Sequence, residues 1–237
     1  MEQTIDQALQ NSTLILSQTQ TESTFLGMQE CATFYILLSI SLILFITQVK
    51  TLVEIVPSLI ATIIRWKESL NLEASVKLSR DRNLIAICSI LPFCLTVYSF
   101  DLYDPAWIRT VGPNARLWII VGVFGIFFAI RTLLEYMLKP RRLSAKSYNG
   151  IVRVAYSFFI ILTLALLLLD STSVLFNVNE EGIRNAMLWI SALIYLLYFI
   201  RKCQIFLSCC SFFAGFLYLC ALEILPTGVL IASAVIF

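Results

Sequence analysis

The stretch Ile205–Phe237, IFLSCCSFFAGFLYLCALEILPTGVLIASAVIF, is the part of the sequence that decides the fold class. The run has 33 residues and is apolar or small except at Glu223, its only charged residue. An ionised carboxylate is costly in hydrocarbon, so a charge in such a run indicates a partner, a water-filled cavity or a function. The run predicts a membrane helix and makes Glu223 its main candidate functional residue.

The composition of the whole chain is that of a protein with several membrane spans. Of its 237 residues, 59% are hydrophobic and 14% are charged, whereas soluble domains have roughly 25% charged residues. The net charge of +2 is too small to indicate a nucleic-acid partner. We predict an all-α integral membrane bundle of about six transmembrane helices plus an interfacial amphipathic helix, with the lipid bilayer as a partner.

Residue types that support catalysis or metal binding are scarce. The chain has no histidine, and its seven cysteines form no C-x-x-C pair. Zinc sites, histidine acid-base catalysis and haem ligation by histidine are therefore not expected. There is also no Gly-x-Ser-x-Gly motif. We predict no catalytic residues, no metal and no cofactor, and the sequence favours a non-enzymatic role.

The first 82 residues divide into a tail, one span and a more polar segment. Residues 1–30 are rich in Gln, Ser and Thr and predict a flexible extracytoplasmic tail. Residues 31–49 form the predicted first transmembrane helix. In 50–82, apolar residues recur at helical spacing among charged ones, which predicts a cytoplasmic segment with an interfacial helix at 57–69. Pro57 suits the first turn of that helix and predicts a bend before it.

Residues 83–237 supply the other five spans of the predicted bundle. Pro92 falls inside the second span and predicts a kink, because proline removes a backbone hydrogen bond. Pro226 predicts an interruption or kink in the last span in the same way. The nine residues 229–237 are too few to cross the membrane again. They either extend the kinked helix, re-enter the membrane or dock on another protein.

The distribution of basic residues predicts the orientation of the bundle. Fourteen of the 17 Lys and Arg residues lie in loops or at helix ends assigned to one face. The three assigned to the other face are Arg109, Arg116 and Arg184. The positive-inside rule places the basic face in the cytoplasm, with both termini outside.

Two charged residues of the third span form a candidate binding pair. Arg131 and Glu135 are four residues apart and therefore share one helix face. A local ion pair, a headgroup contact or a role inside the bundle is compatible with this spacing, because Arg131 is close enough to the cytoplasmic end to extend toward it.

The position of Glu223 decides its expected partner. It follows Lys202 by 21 residues, so a straight helix would carry it about 30 Å, to the outer boundary of the membrane. Arg116 or Arg184 is then the expected partner. If the last helix starts deeper or tilts strongly, Arg131 comes within reach instead. The candidate binding residues are Glu223, Arg131, Glu135 and Arg184.

The sequence FLYLCALEILP at 216–226 resembles the last helix of an uncharacterised family of bacterial polytopic inner-membrane proteins, a domain of unknown function. Weaker similarity in length and span layout covers about the last 150 residues. An acid followed by Ile-Leu-Pro is unusual in a terminal span. The resemblance implies an integral protein of the bacterial inner (cytoplasmic) membrane and no particular activity.

Two functions from different classes remain open. The first is a non-enzymatic subunit or scaffold of an envelope assembly, which contacts membrane-protein partners through its uncharged carboxyl terminus and the helix at 57–69. The second is a small transporter or channel that uses Glu223 with Arg131 or Arg184. An intramembrane enzyme acting on lipid is a third, weaker hypothesis. The first two differ in whether the charged groups converge on a cavity.

Overall fold

The computed structural model describes residues 32–64, 76–137, 145–176, 179–209 and 219–236. All regular structure in these ranges is helical, which confirms the predicted all-α class. In chain order the elements are α1 (Ala32–Ile64), α2 (Val76–Cys88), α3 (Ile90–Ser99), α4 (Ala106–Arg109), α5 (Pro113–Met137), α6 (Ala145–Phe176), α7 (Glu180–Cys209), a π-helical turn (Cys220–Ile224) and α8 (Leu225–Ile236).

Most of these helices are long and apolar enough to cross a membrane. Within the described residues there are five such segments, and a shorter apolar helix at Cys220–Ala234 follows them. This agrees with the prediction of about six membrane helices. The five segments are Thr33–Thr62, Lys77–Ser99, Asn114–Glu135, Val154–Phe176 and Glu180–Ile205.

The first helix differs from the sequence prediction. α1 continues from the first span through Pro57 to Ile64 without a break, where we expected a bend and a separate interfacial helix. Its apolar residues Leu52, Ile55 and Leu59 are buried in a cluster with residues of α2 and α6. This stripe therefore packs against other helices of the bundle.

Two parts of the predicted domain layout fall on residues that the structure does not describe. The tail at 1–30 and residues 65–69 of the expected interfacial helix lie outside the described residues. Residues 76–82, which we assigned to the cytoplasmic segment, belong to α2 and continue into the second span.

The kink predicted from Pro92 is confirmed. α2 ends at Cys88 and α3 begins at Ile90, with Ser89 as a turn between them. Pro92 has no N–H to offer the carbonyl one turn earlier, so the regular ladder cannot continue there. The Ser89 N–H and hydroxyl both donate to the Ile85 carbonyl, at 2.8 and 2.7 Å, and this keeps the backbone hydrogen-bonded at the break.

Two hydrophobic clusters fix the helices around the candidate site. The larger one joins α3, α5 and the first turns of α7, with Ile120 and Met187 fully buried. A smaller one joins α6 and α7 to Leu219, the residue before the π-helical turn, through Phe158 and Tyr198. The smaller cluster therefore holds Leu219 and the π-helical turn that follows it against the second half of α7.

Candidate functional site

A π-helical turn lies directly before Pro226 in the last described helix. In this turn, Cys220–Ile224, the N–H of Leu225 donates to the carbonyl of Cys220, five residues earlier. A proline ring clashes with the carbonyl four residues before it, here that of Leu222, and a π turn widens the backbone at that point. The helix therefore passes Pro226 and continues as α8. We call the π turn and α8 together the terminal helix.

Glu223 lies on the π turn and is buried inside the bundle, with 1% of its surface exposed. Its Oε1 atom accepts hydrogen bonds from Arg131 Nη2 at 2.9 Å and from the Tyr198 hydroxyl at 2.6 Å. Lys202 Nζ also donates to this oxygen. One carboxylate oxygen thus joins α5, α7 and the terminal helix.

Tyr198 and Lys202 occupy the same face of α7, since they are four residues apart. Lys202 Nζ donates to the Tyr198 hydroxyl at 3.0 Å, and Arg131 Nη2 donates to the same hydroxyl. The Arg131 Cζ and Lys202 Nζ atoms lie 5.4 and 5.6 Å from the Tyr198 ring centroid. Tyr198 is therefore a hydrogen-bonding and cation–π partner of both cations.

Glu135 completes the group one turn after Arg131 on α5. Its Oε1 atom lies 3.6 Å from Arg131 Nε and 3.8 Å from Lys202 Nζ. Two cations thus face two carboxylates, so the ionised group is electrically balanced. We call these five residues the charge cluster: Arg131, Glu135, Tyr198, Lys202 and Glu223.

The charge cluster is closed to its surroundings. Lys202 is 0% exposed and Glu135 is 7% exposed, while the Arg131 side chain retains 15%. Removing one partner of such a buried ion pair leaves an uncompensated charge, at a cost of about 3–5 kcal/mol. The cluster therefore couples the terminal helix tightly to α5 and α7.

Two details distinguish Glu223 from an ordinary ion-pair residue. Its backbone carbonyl, on the π turn, accepts a hydrogen bond from the Tyr195 hydroxyl at 3.3 Å. Its Oε2 atom is buried and has no hydrogen-bond partner among the residues that the structure describes. Among the described residues, all donors to the carboxylate thus meet at one of its two oxygens.

Three of the four candidate residues converge in this cluster. Glu223, Arg131 and Glu135 are members, whereas Arg184 lies at the opposite end of α7 and is exposed. Eighteen residues separate Arg184 from Lys202, about 27 Å along a helix. Arg184 instead acts on the loop after α3. Burial raises the pKa of Asp101 in that loop, and the positive charges of Arg116 and Arg184 oppose this rise only in part.

Of the two partners considered for Glu223, the structure places Arg131 beside it and not Arg116 or Arg184. A straight helix placed it about 30 Å from Lys202, but the two side chains are in direct contact. The chain therefore reverses direction between the end of α7 and the terminal helix. A hydrogen bond of 2.9 Å between Ser233 Oγ and the Tyr103 hydroxyl shows that the terminal helix then runs back toward the loop after α3.

Sequence reasoning missed Lys202 and Tyr198 as site residues. Lys202 was assigned with Arg201 to the basic end of a span, where it served only to predict orientation. The four-residue spacing of Tyr198 and Lys202 was the available signal, because it places a hydroxyl and an ammonium group on one face of an otherwise apolar helix.

The charged groups converge on one another. A groove of about 550 Å³ is lined by Phe128, Ala129, Thr132 and Leu133 of α5, and none of these belongs to the charge cluster. Within the described part of the chain, no group of three Cys, Asp or Glu side chains is placed to hold a metal ion.

Comparison with known proteins identifies a family. Residues 31–233 match a family model described as Domain of unknown function (DUF4271). No curated protein and no solved structure matches the chain.

Proposed function

Because the chain belongs to the family Domain of unknown function (DUF4271), which carries no assigned activity, we propose a function from the geometry of the charge cluster. The protein is a non-enzymatic subunit or scaffold of an assembly in the bacterial inner membrane. In this proposal the cluster fixes the terminal helix against the bundle, so that one apolar face of that helix is presented to a membrane-protein partner.

The observation that supports this role is the closure of the cluster around Glu223. The carboxylate is 1% exposed and is neutralised by Arg131 and Lys202. A carboxylate that takes part in transport needs access to water or to its cargo, whereas one that fixes a helix needs only its partners. A closed and balanced cluster favours the structural role.

The opposite face of the terminal helix is the proposed partner surface. It carries exposed apolar side chains and no charge over the described residues, and it includes Ile224, Leu225, Val229 and Ile231. Gly228 lies on the same exposed side, and a methyl group added to its Cα would meet no neighbouring atom within 4 Å. Small and apolar residues of this kind allow close helix packing in membranes.

Mild purification with chemical cross-linking tests the proposal. We expect a membrane protein to be cross-linked to wild-type protein and to be recovered much less with Val229→Trp, which adds bulk to the proposed surface. Leu193→Trp, on an exposed position of α7, is the matched control. Recovery of the chain alone from several mild detergents, without a cross-linked protein, would contradict the subunit hypothesis.

A small transporter or channel is the second candidate, and one observation favours it. Glu223, whose Oε2 atom has no donor among the described residues, belongs to a π turn, and π turns often occur at functional sites. Arg131 is the partner of Glu223 in this hypothesis, because Arg184 is too distant. Ion flux into proteoliposomes that Glu223→Gln abolishes and Arg184→Gln retains would support transport over the scaffold.

A further inference from the structure

The uncharged stretches of the long apolar helices are short for membrane spans. For each of the five segments long enough to cross a membrane, the longest run without Lys, Arg, Asp or Glu has between 14 and 19 residues. Such runs measure about 21–28 Å along a helix, whereas a typical hydrocarbon core is about 30 Å thick and needs about 20 residues. The runs are 31–49, 83–100, 117–130, 154–169 and 185–200.

The helix α7 gives the clearest measure of this length, because the charges at both ends of its uncharged run reach the surface. Arg184 is exposed, and the half-buried Arg201 donates to the exposed Gln204 at 2.9 Å. Seventeen residues separate the two arginines, which is about 26 Å along a helix. A thicker hydrocarbon core would enclose one of these charges, and any tilt of α7 reduces the thickness that it covers.

The charges that limit the run of α5 are held in place by acids. Long cationic side chains can extend toward the headgroups and so lengthen a short span. Arg116, however, is bound to Asp101 at 2.6 Å and to Asp104 at 3.0 Å, and Arg131 is bound to Glu223 at 2.9 Å. These two arginines are 15 residues apart, about 22 Å along a helix. Extension of either side chain would break these ion pairs.

Exposed tryptophans give a second and independent measure. Trp118 of α5 is 56% exposed and Trp189 of α7 is 77% exposed, and tryptophan prefers the interface between hydrocarbon and water. Both lie further into the bundle than the arginine at the same end, two residues after Arg116 and five after Arg184. From Trp189 to Arg201 the helix covers only about 18 Å. The interface therefore reaches at least as far inward as the limiting charges indicate.

We propose that the bundle fits a hydrocarbon core of about 25 Å, so that it binds phospholipids with short acyl chains in preference to long ones and thins a thicker membrane around it. The partner of its exposed apolar surface is then a thin bilayer. This inference does not rest on the proposed function, because it concerns lipid neighbours and not a protein partner.

Thermal unfolding of the full chain in phosphatidylcholine nanodiscs tests the proposal. The discs carry monounsaturated acyl chains of roughly 14 to 22 carbons, which changes the thickness of the core. We expect the thermal midpoint to be highest in the shorter-chain discs and to fall by roughly 4 °C or more in the longest. A midpoint that does not depend on chain length, or that rises with it, would overturn the proposal.

A variant of α7 tests whether the length of the uncharged run is the cause. Arg184→Leu extends that run to 182–200, about 4.5 Å longer, so this variant should lose less stability than wild type between short-chain and long-chain discs. Glu181→Leu, also exposed on α7, leaves the run at 185–200 and should lose as much as wild type. Equal losses in all three proteins would contradict the proposed cause.

Deuterium NMR of the lipid keeps the proposal testable if unfolding is irreversible. In bilayers of the long-chain lipid, the order of the acyl chains should fall as wild-type protein is added, because the chains must shorten to match the bundle. Chain order that stays the same or increases would contradict the proposal.

Discussion

Glu223 is the residue on which the arrangement of the charge cluster depends. Three donors from two helices meet at its Oε1 atom, and of the two carboxylates in the cluster it is the closer to Lys202. Neutralising Glu223 leaves Lys202, which is 0% exposed, with Glu135 at 3.8 Å as its ionic partner within the cluster. The stability of the bundle should respond strongly to this one side chain.

We expect Glu223→Gln to lower the free energy of unfolding by about 3 kcal/mol or more, because it removes one partner of a buried ion pair. This corresponds to a fall of roughly 6 °C or more in the thermal midpoint, measured in detergent by tryptophan fluorescence. Glu181→Gln, at an exposed position of α7, should leave the midpoint nearly unchanged. Equal midpoints for the two variants would show that the Glu223 pair adds nothing to stability.

Replacing Tyr198 should lower stability by less than replacing Glu223 does. The size of this loss should depend on whether Glu223 is present. Tyr198→Phe removes a hydroxyl that donates to Glu223 and accepts from both cations, at an expected cost of about 1–3 kcal/mol. Combined with Glu223→Gln, the loss should be less than the sum of the single losses, because the residues share partners. Additive losses in thermal denaturation would contradict a shared network.

Asp101 provides a prediction at the other end of the bundle. It has a positive φ of 48°, which Asn tolerates and Ala does not. Burial raises its pKa above the ordinary 3.8, and the nearby Arg116 opposes this only in part. The folded state therefore binds a proton more readily than the unfolded state, so this carboxyl group contributes stability that is lost as pH rises through the range above 3.8.

At neutral pH we therefore expect Asp101→Asn to retain or slightly raise the thermal midpoint, although it removes an ion pair of 2.6 Å with Arg116. Asp101→Ala should lower the midpoint, because backbone strain at this φ should cost about 1–3 kcal/mol of unfolding free energy. Thermal scans at several pH values compare the variants. A large loss in Asp101→Asn at neutral pH would mean that the ion pair outweighs the cost of burying the carboxylate.

The terminal helix is the element whose placement was hardest to predict. Its identity as an apolar helix and the effect of Pro226 were evident from the sequence. Its direction was not, because Ile205–Phe237 contains no charge except Glu223 and no proline before Pro226. Nothing in that run separates one long helix from two helices that reverse. The contact between Lys202 and Glu223 is a tertiary contact, which the local sequence does not determine.

The far end of the terminal helix makes its own testable contact. Ser233→Ala removes the 2.9 Å hydrogen bond to the Tyr103 hydroxyl and should cost about 1 kcal/mol in unfolding free energy. Ser171→Ala is the matched control, because that hydroxyl bonds only to the Leu167 carbonyl of its own helix in the described structure. If the two variants have the same stability in urea or thermal unfolding, the Tyr103 contact does not anchor the terminal helix.

At the scale of the whole molecule, the sequence predicted the class and the approximate number of helices. Long uncharged runs indicate membrane spans directly, and Pro92 indicated the interruption between α2 and α3. The sequence did not predict that residues 50–64 extend α1. The stripe of Leu52, Ile55 and Leu59 has the same spacing whether it faces a membrane surface or the interior of the bundle, where it lies.

The orientation of the bundle remains a prediction and has a direct test. In a chain with its seven native cysteines replaced by serine or alanine, Asn179→Cys should react with a membrane-impermeant thiol reagent added to intact cells. Lys77→Cys, on a side chain that is 79% exposed, should react only after the membrane is opened. The positive-inside rule gives this expectation, and the opposite labelling pattern would reverse the orientation.

The long separation of the cluster residues along the chain has a consequence for synthesis. Glu223 follows Arg131 by 92 residues and Lys202 by 21, so both cations leave the ribosome before their shared carboxylate. Until the terminal helix is made, the nascent bundle holds a surplus of positive charge within its helices. Chains that stop before Glu223 should therefore be less stable in the membrane, and be degraded faster, than chains that include it.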